Sequence, residues 1–140
     1  MILFVCTGNT CRSPMAEGLY KKLTGKKAES AGLSAVDGQR ASTEAIIAME
    51  NKHIDIKDHK ARQIDKRMLE KAKWVLTMTE GHKAMLLYAA GEFSEKILTV
   101  YEWAGKEGNV KDPYGGSQKV YDACALELEE LILEGEKIHS

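Results

Sequence analysis

Ile2-Leu3-Phe4-Val5-Cys6-Thr7-Gly8-Asn9-Thr10-Cys11-Arg12-Ser13-Pro14 joins three local signals in one run near the start of the chain. Ile2 to Val5 is uninterrupted aliphatic and aromatic sequence, the pattern of a short strand buried on both faces, although periodicity alone also admits a helix. Gly8 and Asn9 decide for a strand followed by a turn. Ser13 then reads as a helix N-cap and Pro14 as the first helical residue, where a missing N–H costs nothing. The helix so begun runs to about Leu23 and ends at Gly25.

The same alternation continues through the chain. Ala28 to Ala31 fits a short strand, Ser42 or Thr43 caps a helix through His53, and Asp65 caps another to about Lys71. Trp74 to Met78 is a second buried strand, and Thr79 and Glu80 open a helix reaching Ala90 or Gly91. Lys96 to Val100 forms another strand. Gln118 to about Lys137 has apolar residues at helical spacing. Strands alternating with helices predict an α/β fold: a three-layer sandwich with a short, twisted, mostly parallel sheet of about four strands and helices on both faces. No repeat, low-complexity tract or linker divides the chain, so residues 1–140 read as a single domain.

Composition narrows the function. Hydrophobic residues make up 44% and charged residues 29%, ordinary globular usage. Twenty basic and 21 acidic residues are interspersed for a net charge of −1, so no broad basic face is expected to bind nucleic acid or an anionic membrane. Met1 to Val5 lacks a basic flank, and no stretch approaches the roughly 18 apolar residues of a membrane span. A cytoplasmic location follows as an expectation. The three cysteines, an odd number, then read as reduced thiols available for chemistry.

The loop after the first strand has the makings of an anion site. Successive backbone N–H groups ending at a helix N-terminus converge on phosphate oxygens, and Gly8 and Asn9 permit the dihedrals such a cradle requires. A thiol at its base feels oriented N–H groups and the helix dipole, which favour thiolate. Cys6 is thus a candidate nucleophile. Arg12, after five intervening residues, can clamp two phosphoryl oxygens with its planar fork, and Ser13 can donate a hydrogen bond to the sulfur. Spacing alone fits a buried strand cysteine and a surface arginine equally well. Strand, Gly-Asn turn, Arg and Ser-Pro in that order favour the site.

The stretch Val5-Cys6-Thr7-Gly8-Asn9-Thr10-Cys11-Arg12-Ser13-Pro14-Met15-Ala16-Glu17 resembles the signature of the low-molecular-weight protein tyrosine phosphatase family, and Asp112-Pro113 resembles that family's general-acid motif. The resemblance spans essentially the whole chain. It implies a protein phosphatase with a phosphocysteine intermediate, no metal and no cofactor. Cys6 would attack phosphorus, while Asp112 would protonate the leaving group and then activate water. Thr7, Gly8, Asn9, Thr10, Cys11 and Ser13 would bind the phosphoryl group, with Asn9 holding the loop and Tyr114 forming one wall. Partners would be phosphorylated proteins, met by a monomer.

Phosphotyrosine members usually place a bulky aliphatic residue before the loop's second cysteine and a further aromatic near the Asp-Pro. Thr10 and Gly115 stand there instead. That departure resembles the bacterial protein-arginine phosphatase branch, so phosphoarginine is the expected substrate and phosphotyrosine the alternative. A thiol-dependent arsenate reductase or a non-catalytic phosphocysteine carrier would use the same cradle, but the first needs further reactive cysteines and the second has no use for Asp112. Cys11 lies near enough in sequence for a reversible disulfide with Cys6. Cys124, in the apolar stripe of the last helix, reads as a packing residue. His53, His59, His82 and His139 lack ligand spacing and read as solvated or packed side chains.

Overall fold

The first strand, β1 (Ile2–Cys6), is buried along its whole length. Its alternating side chains feed two separate cores. Ile2, Phe4 and Cys6 enter the larger one and Leu3 and Val5 the smaller. Burial of each large apolar side chain contributes about 1.5–3 kcal/mol, so a continuous apolar run is what a central strand needs. The computed structural model describes residues 1–140. β2 (Ala28–Gly32), β3 (Trp74–Thr77) and β4 (Ile97–Thr99) complete an all-parallel sheet in the order β2-β1-β3-β4. The expected α/β sandwich is therefore the observed fold.

Helices α1 (Arg12–Thr24), α2 (Thr43–Glu50) and α6 (Gln118–His139) pack on the larger core with the one-turn α5 (Val100–Trp103). Helices α3 (Lys66–Lys71) and α4 (Glu80–Ala89) cover the other face. Ser42, Asp65 and Thr79 cap α2, α3 and α4 through side-chain oxygens, as their sequence positions predict. Met15, Ala16, Leu19 and Tyr20 form the buried face of α1, with Tyr20 meeting Phe4 edge-on at 5.9 Å between centroids. A Cβ at Gly135 of α6 would lie 2.1 Å from the Trp103 ring, so glycine there lets the helix seat against the indole.

Some boundaries differ from expectation. α1 begins at Arg12 instead of Pro14, and Ser13 is not its cap; Cys11 is, with no side-chain hydrogen bond. The Ser13 hydroxyl is committed elsewhere, as described below. α2 stops at Glu50, before His53, which adopts φ +61°. The expected strand from Lys96 to Val100 shortens to three residues because Gly91–Lys96 is a 3-10 turn and Thr99 starts α5 with a capping box. No helix is long and apolar enough to cross a membrane.

β1 lies at the point where the sheet's winding reverses, between β2 on one side and β3 on the other. Ligand sites in parallel sheets open there, beyond the carboxyl ends of the strands. The loop from Thr7 to Cys11 leaves β1 at that end. Gly32, which pairs with Cys6, approaches it so closely that a Cβ would sit 2.5 Å from the Thr7 carbonyl oxygen.

Candidate active site

The backbone N–H groups from Thr7 through Arg12 donate to no acceptor in the protein. Several belong to buried residues, Asn9 among them, and a buried N–H without an acceptor costs free energy unless a ligand supplies one. Cys6, 3% exposed, ends β1 immediately before this run of free donors, and α1 starts at its last residue, Arg12. The structure thus brings Cys6 and a run of free donors together in one loop.

Its shape is held by an ordered set of hydrogen bonds. Asn9 adopts φ +58°, the left-handed region that few non-glycine residues enter. The Arg62 backbone N–H donates to Asn9 Oδ1 at 2.9 Å, which fixes the amide orientation because a backbone N–H can only donate. Asn9 Nδ2 therefore donates to Ser13 Oγ at 2.7 Å. That hydroxyl, already accepting, has its own proton free for the Cys6 Sγ, 2.8 Å away. The chain Arg62, Asn9, Ser13, Cys6 thus aims one hydrogen bond at the sulfur, and a thiolate gains most from it.

Arg12 is 4% exposed, and its Nη1 donates to the Val110 carbonyl at 2.9 Å. This anchor leaves the second nitrogen, Nη2, 3.7 Å from Asp112 Oδ2. Asp112 is more than half exposed, and its Oδ1 accepts the Tyr114 N–H at 3.1 Å, so a local turn directs the carboxyl. Gly116 N–H closes the following turn on the Pro113 carbonyl at 2.8 Å, with Gly115 at φ +80°. Cys6, Thr7, Gly8, Thr10, Cys11, Arg12, Asp112 and Tyr114 line one cleft of about 290 Å³. A larger groove of about 550 Å³ runs along the β2 edge between Lys27, Lys60 and Arg62, but no nucleophile faces it.

The other two cysteines are buried as well, Cys11 within the loop at the cleft and Cys124 in α6. Cys11 Sγ sits 3.4 Å from the Tyr121 hydroxyl and 3.5 Å from Ser42 Oγ. Cys124 is buried in α6, and that burial pushes its thiol up to about 12. All three cysteines are free. No three His, Cys, Asp or Glu side chains gather closely enough to hold a metal ion.

Besides Arg62, three residues at or near the loop escaped sequence reasoning. Gln39, from the segment after β2, lines the cleft itself. His59 Nε2 bonds the Asn9 carbonyl oxygen at 2.8 Å. His82, in the first turn of α4, bonds Thr7 Oγ1 at 2.8 Å through Nε2. His59 and Gln39 carry no sequence signal; His82 could have been found as the residue placed by the Thr79 cap at the carboxyl end of β3.

Burial first, and then the Arg12 guanidinium, lower the His82 pKa to about 4, with Asp112 opposing. The unfolded chain protonates first, so this stabilisation is complete above pH 6.5 and is lost as pH falls toward 4, up to about 3 kcal/mol. His82→Gln keeps a partner for Thr7 but cannot titrate. Thermal melts should show the gap between wild type and His82→Gln narrowing from neutral pH to about pH 4.5. Parallel pH profiles would contradict this assignment.

The profile of the family described as low molecular weight phosphotyrosine protein phosphatase matches residues 1–134. A protein-arginine-phosphatase of Geobacillus stearothermophilus is 43% identical over 134 residues, covering 94% of this chain and 90% of that protein. A low molecular weight protein-tyrosine-phosphatase PtpB of Staphylococcus haemolyticus is 41% identical over 122 residues, 86% of each chain. Among solved structures, a mutant YwlE arginine phosphatase with a phosphorylated active-site serine superposes with a TM-score of 0.94 at 36% identity, covering 99% of this chain and 95% of that one.

Proposed function

Because the chain belongs to the low molecular weight phosphotyrosine protein phosphatase family, we propose that it hydrolyses phosphoarginine in proteins through a phosphocysteine formed on Cys6. The observation that supports the chemistry most strongly is the ring of unused N–H groups around a thiol that Ser13 faces at hydrogen-bond distance. Three equatorial phosphoryl oxygens would take those donors and the Arg12 fork, which act where charge spreads in the transition state.

In the first step Cys6 Sγ forms an S–P bond as the N–P bond to the guanidine breaks, and the Asp112 carboxylic acid supplies the proton that the departing nitrogen needs. In the second, Asp112, now a carboxylate, takes a proton from water as its oxygen attacks phosphorus. The S–P bond breaks and thiolate returns, again facing the Ser13 hydroxyl. Thr7, Gly8, Asn9, Thr10, Cys11 and Ser13 hold the loop and its oxyanion contacts, and Tyr114 supplies the one aromatic wall.

Preference for phosphoarginine rests on the polarity above the cradle. Thr10 brings a hydroxyl and little bulk to the rim, Asp112 an acidic group, and Gly115 no side chain. A planar, donor-rich guanidine suits that rim better than a phenol ring. The arginine phosphatases among the relatives support the reading. Phosphotyrosine is the second reading, favoured by Tyr114 at the cleft and by tyrosine phosphatase relatives. Arsenate reduction would need a thiol beyond the loop to carry oxidation away, and Cys124, the one cysteine outside it, is buried in the core.

Thr10→Ile tests the substrate assignment. Replacing the hydroxyl with a branched alkyl group should shift the ratio of kcat/KM for a phosphoarginine protein over a phosphotyrosine peptide toward phosphotyrosine by about tenfold or more. An identical ratio in wild type and variant would sink the role given to Thr10.

A further inference from the structure

The cleft's one neutral amide is Gln39, whose side chain makes no hydrogen bond within the protein, while its backbone is fixed on both sides. Gly38 N–H donates to the Ala61 carbonyl at 2.9 Å, and Ala61 N–H returns a bond to the Gln39 carbonyl at 2.8 Å. An antiparallel bridge joins Arg40 to Lys60, and Ser42 N–H donates to the Thr10 carbonyl at 2.9 Å. The segment is therefore stitched to the phosphate loop itself. Only the Gln39 side chain is left loose, at the wall of the cleft shared with Thr10, Asp112 and Tyr114.

The floor of that cleft consists almost wholly of donors: backbone N–H groups and the Arg12 guanidinium. A phosphorylated guanidine brings further N–H donors above the phosphorus, and these need acceptors. Asp112 cannot serve as a constant acceptor, because it must give up a proton in the first step and regain one in the second. Gln39 Oε1 keeps the same character throughout. A tyrosyl ring offers no N–H at this height, so an amide gains nothing from it and loses its water.

We propose that Gln39 is a specificity-determining residue that accepts a hydrogen bond from the guanidine N–H groups of phosphoarginine. The proposal rests on the phosphoarginine reading and assigns that selectivity a contact outside the signature loop. Its acceptor is supplied by the connection between β2 and α2, a part of the chain that no local motif marks.

The test compares wild type, Gln39→Leu and Gln39→Glu on a phosphoarginine protein and on a phosphotyrosine peptide of matched sequence. Gln39→Leu keeps the length and removes the acceptor. It should raise KM for phosphoarginine and lower the phosphoarginine-to-phosphotyrosine ratio of kcat/KM about tenfold, the factor expected for one hydrogen bond to a charged group. Gln39→Glu restores an acceptor and should hold that ratio at or above the wild-type value. A ratio unchanged in Gln39→Leu, or parallel losses on both substrates in both variants, would overturn the assignment while leaving the phosphoarginine reading intact. A wild type that itself prefers phosphotyrosine would overturn both.

Discussion

Cys6→Ser lowers turnover of phosphoarginine substrates by about 10⁴- to 10⁶-fold, the scale seen when an essential nucleophile is removed. Ser13 faces the sulfur at hydrogen-bond distance, and a hydroxyl in the sulfur's place is a far weaker nucleophile than a thiol. The residual reaction has a distinctive end point. Serine oxygen, once phosphorylated, is a far poorer leaving group than thiolate, so the second step stalls and phosphoserine accumulates. Intact mass measurement should find one phosphoryl group on the variant after long incubation with substrate. A mutant of the YwlE arginine phosphatase bears a phosphorylated active-site serine, an outcome of this kind in a relative. Substantial turnover by Cys6→Ser would place the nucleophile elsewhere, and Cys11 would be the next thiol to examine.

Asp112→Asn has the second-largest expected effect, a fall of about 10²- to 10⁴-fold in kcat on phosphoarginine. The substitution is conservative in shape. Asn retains the side-chain oxygen that accepts the Tyr114 N–H, so the local turn survives while the proton is lost. Leaving-group chemistry then separates this role from a structural one. A guanidine nitrogen must be protonated to depart, whereas an activated aryl phosphate releases a stable phenolate without help. Single-turnover release of the leaving group should therefore fall much further for phosphoarginine than for 4-nitrophenyl phosphate. Equal losses on both substrates would contradict proton donation by Asp112.

The elements visible in the sequence are those whose cause is local. The apolar run of β1, the caps at Ser42, Asp65 and Thr79, and the glycine ending α1 each depend on a few neighbouring residues. Ser13 shows where local logic fails. Its position before Pro14 suits a cap, but the folded chain spends its hydroxyl on the pairing with Asn9 and Cys6, and the helix begins earlier. The short α5 and the 3-10 turn were missed because a handful of residues carries no periodicity. The candidate site divides in the same way. Cys6, Arg12 and Ser13 share one contiguous stretch with a physical logic of its own, and Asp112 was reached through resemblance. Gln39 arrives from the β2-α2 connection, His59 and Arg62 from the α2-α3 connection and His82 from α4, all many residues away, and only the folded arrangement brings them to the loop.

Action of this cradle on a phosphorylated guanidine is open to direct measurement. Its most direct test is a side-by-side measurement of kcat/KM for the wild-type protein on one protein phosphorylated on arginine and on a matched peptide phosphorylated on tyrosine. Wild type should clearly prefer phosphoarginine, with both activities abolished in Cys6→Ser. A wild type that prefers phosphotyrosine, or that turns over the two substrates equally, would contradict the phosphoarginine reading.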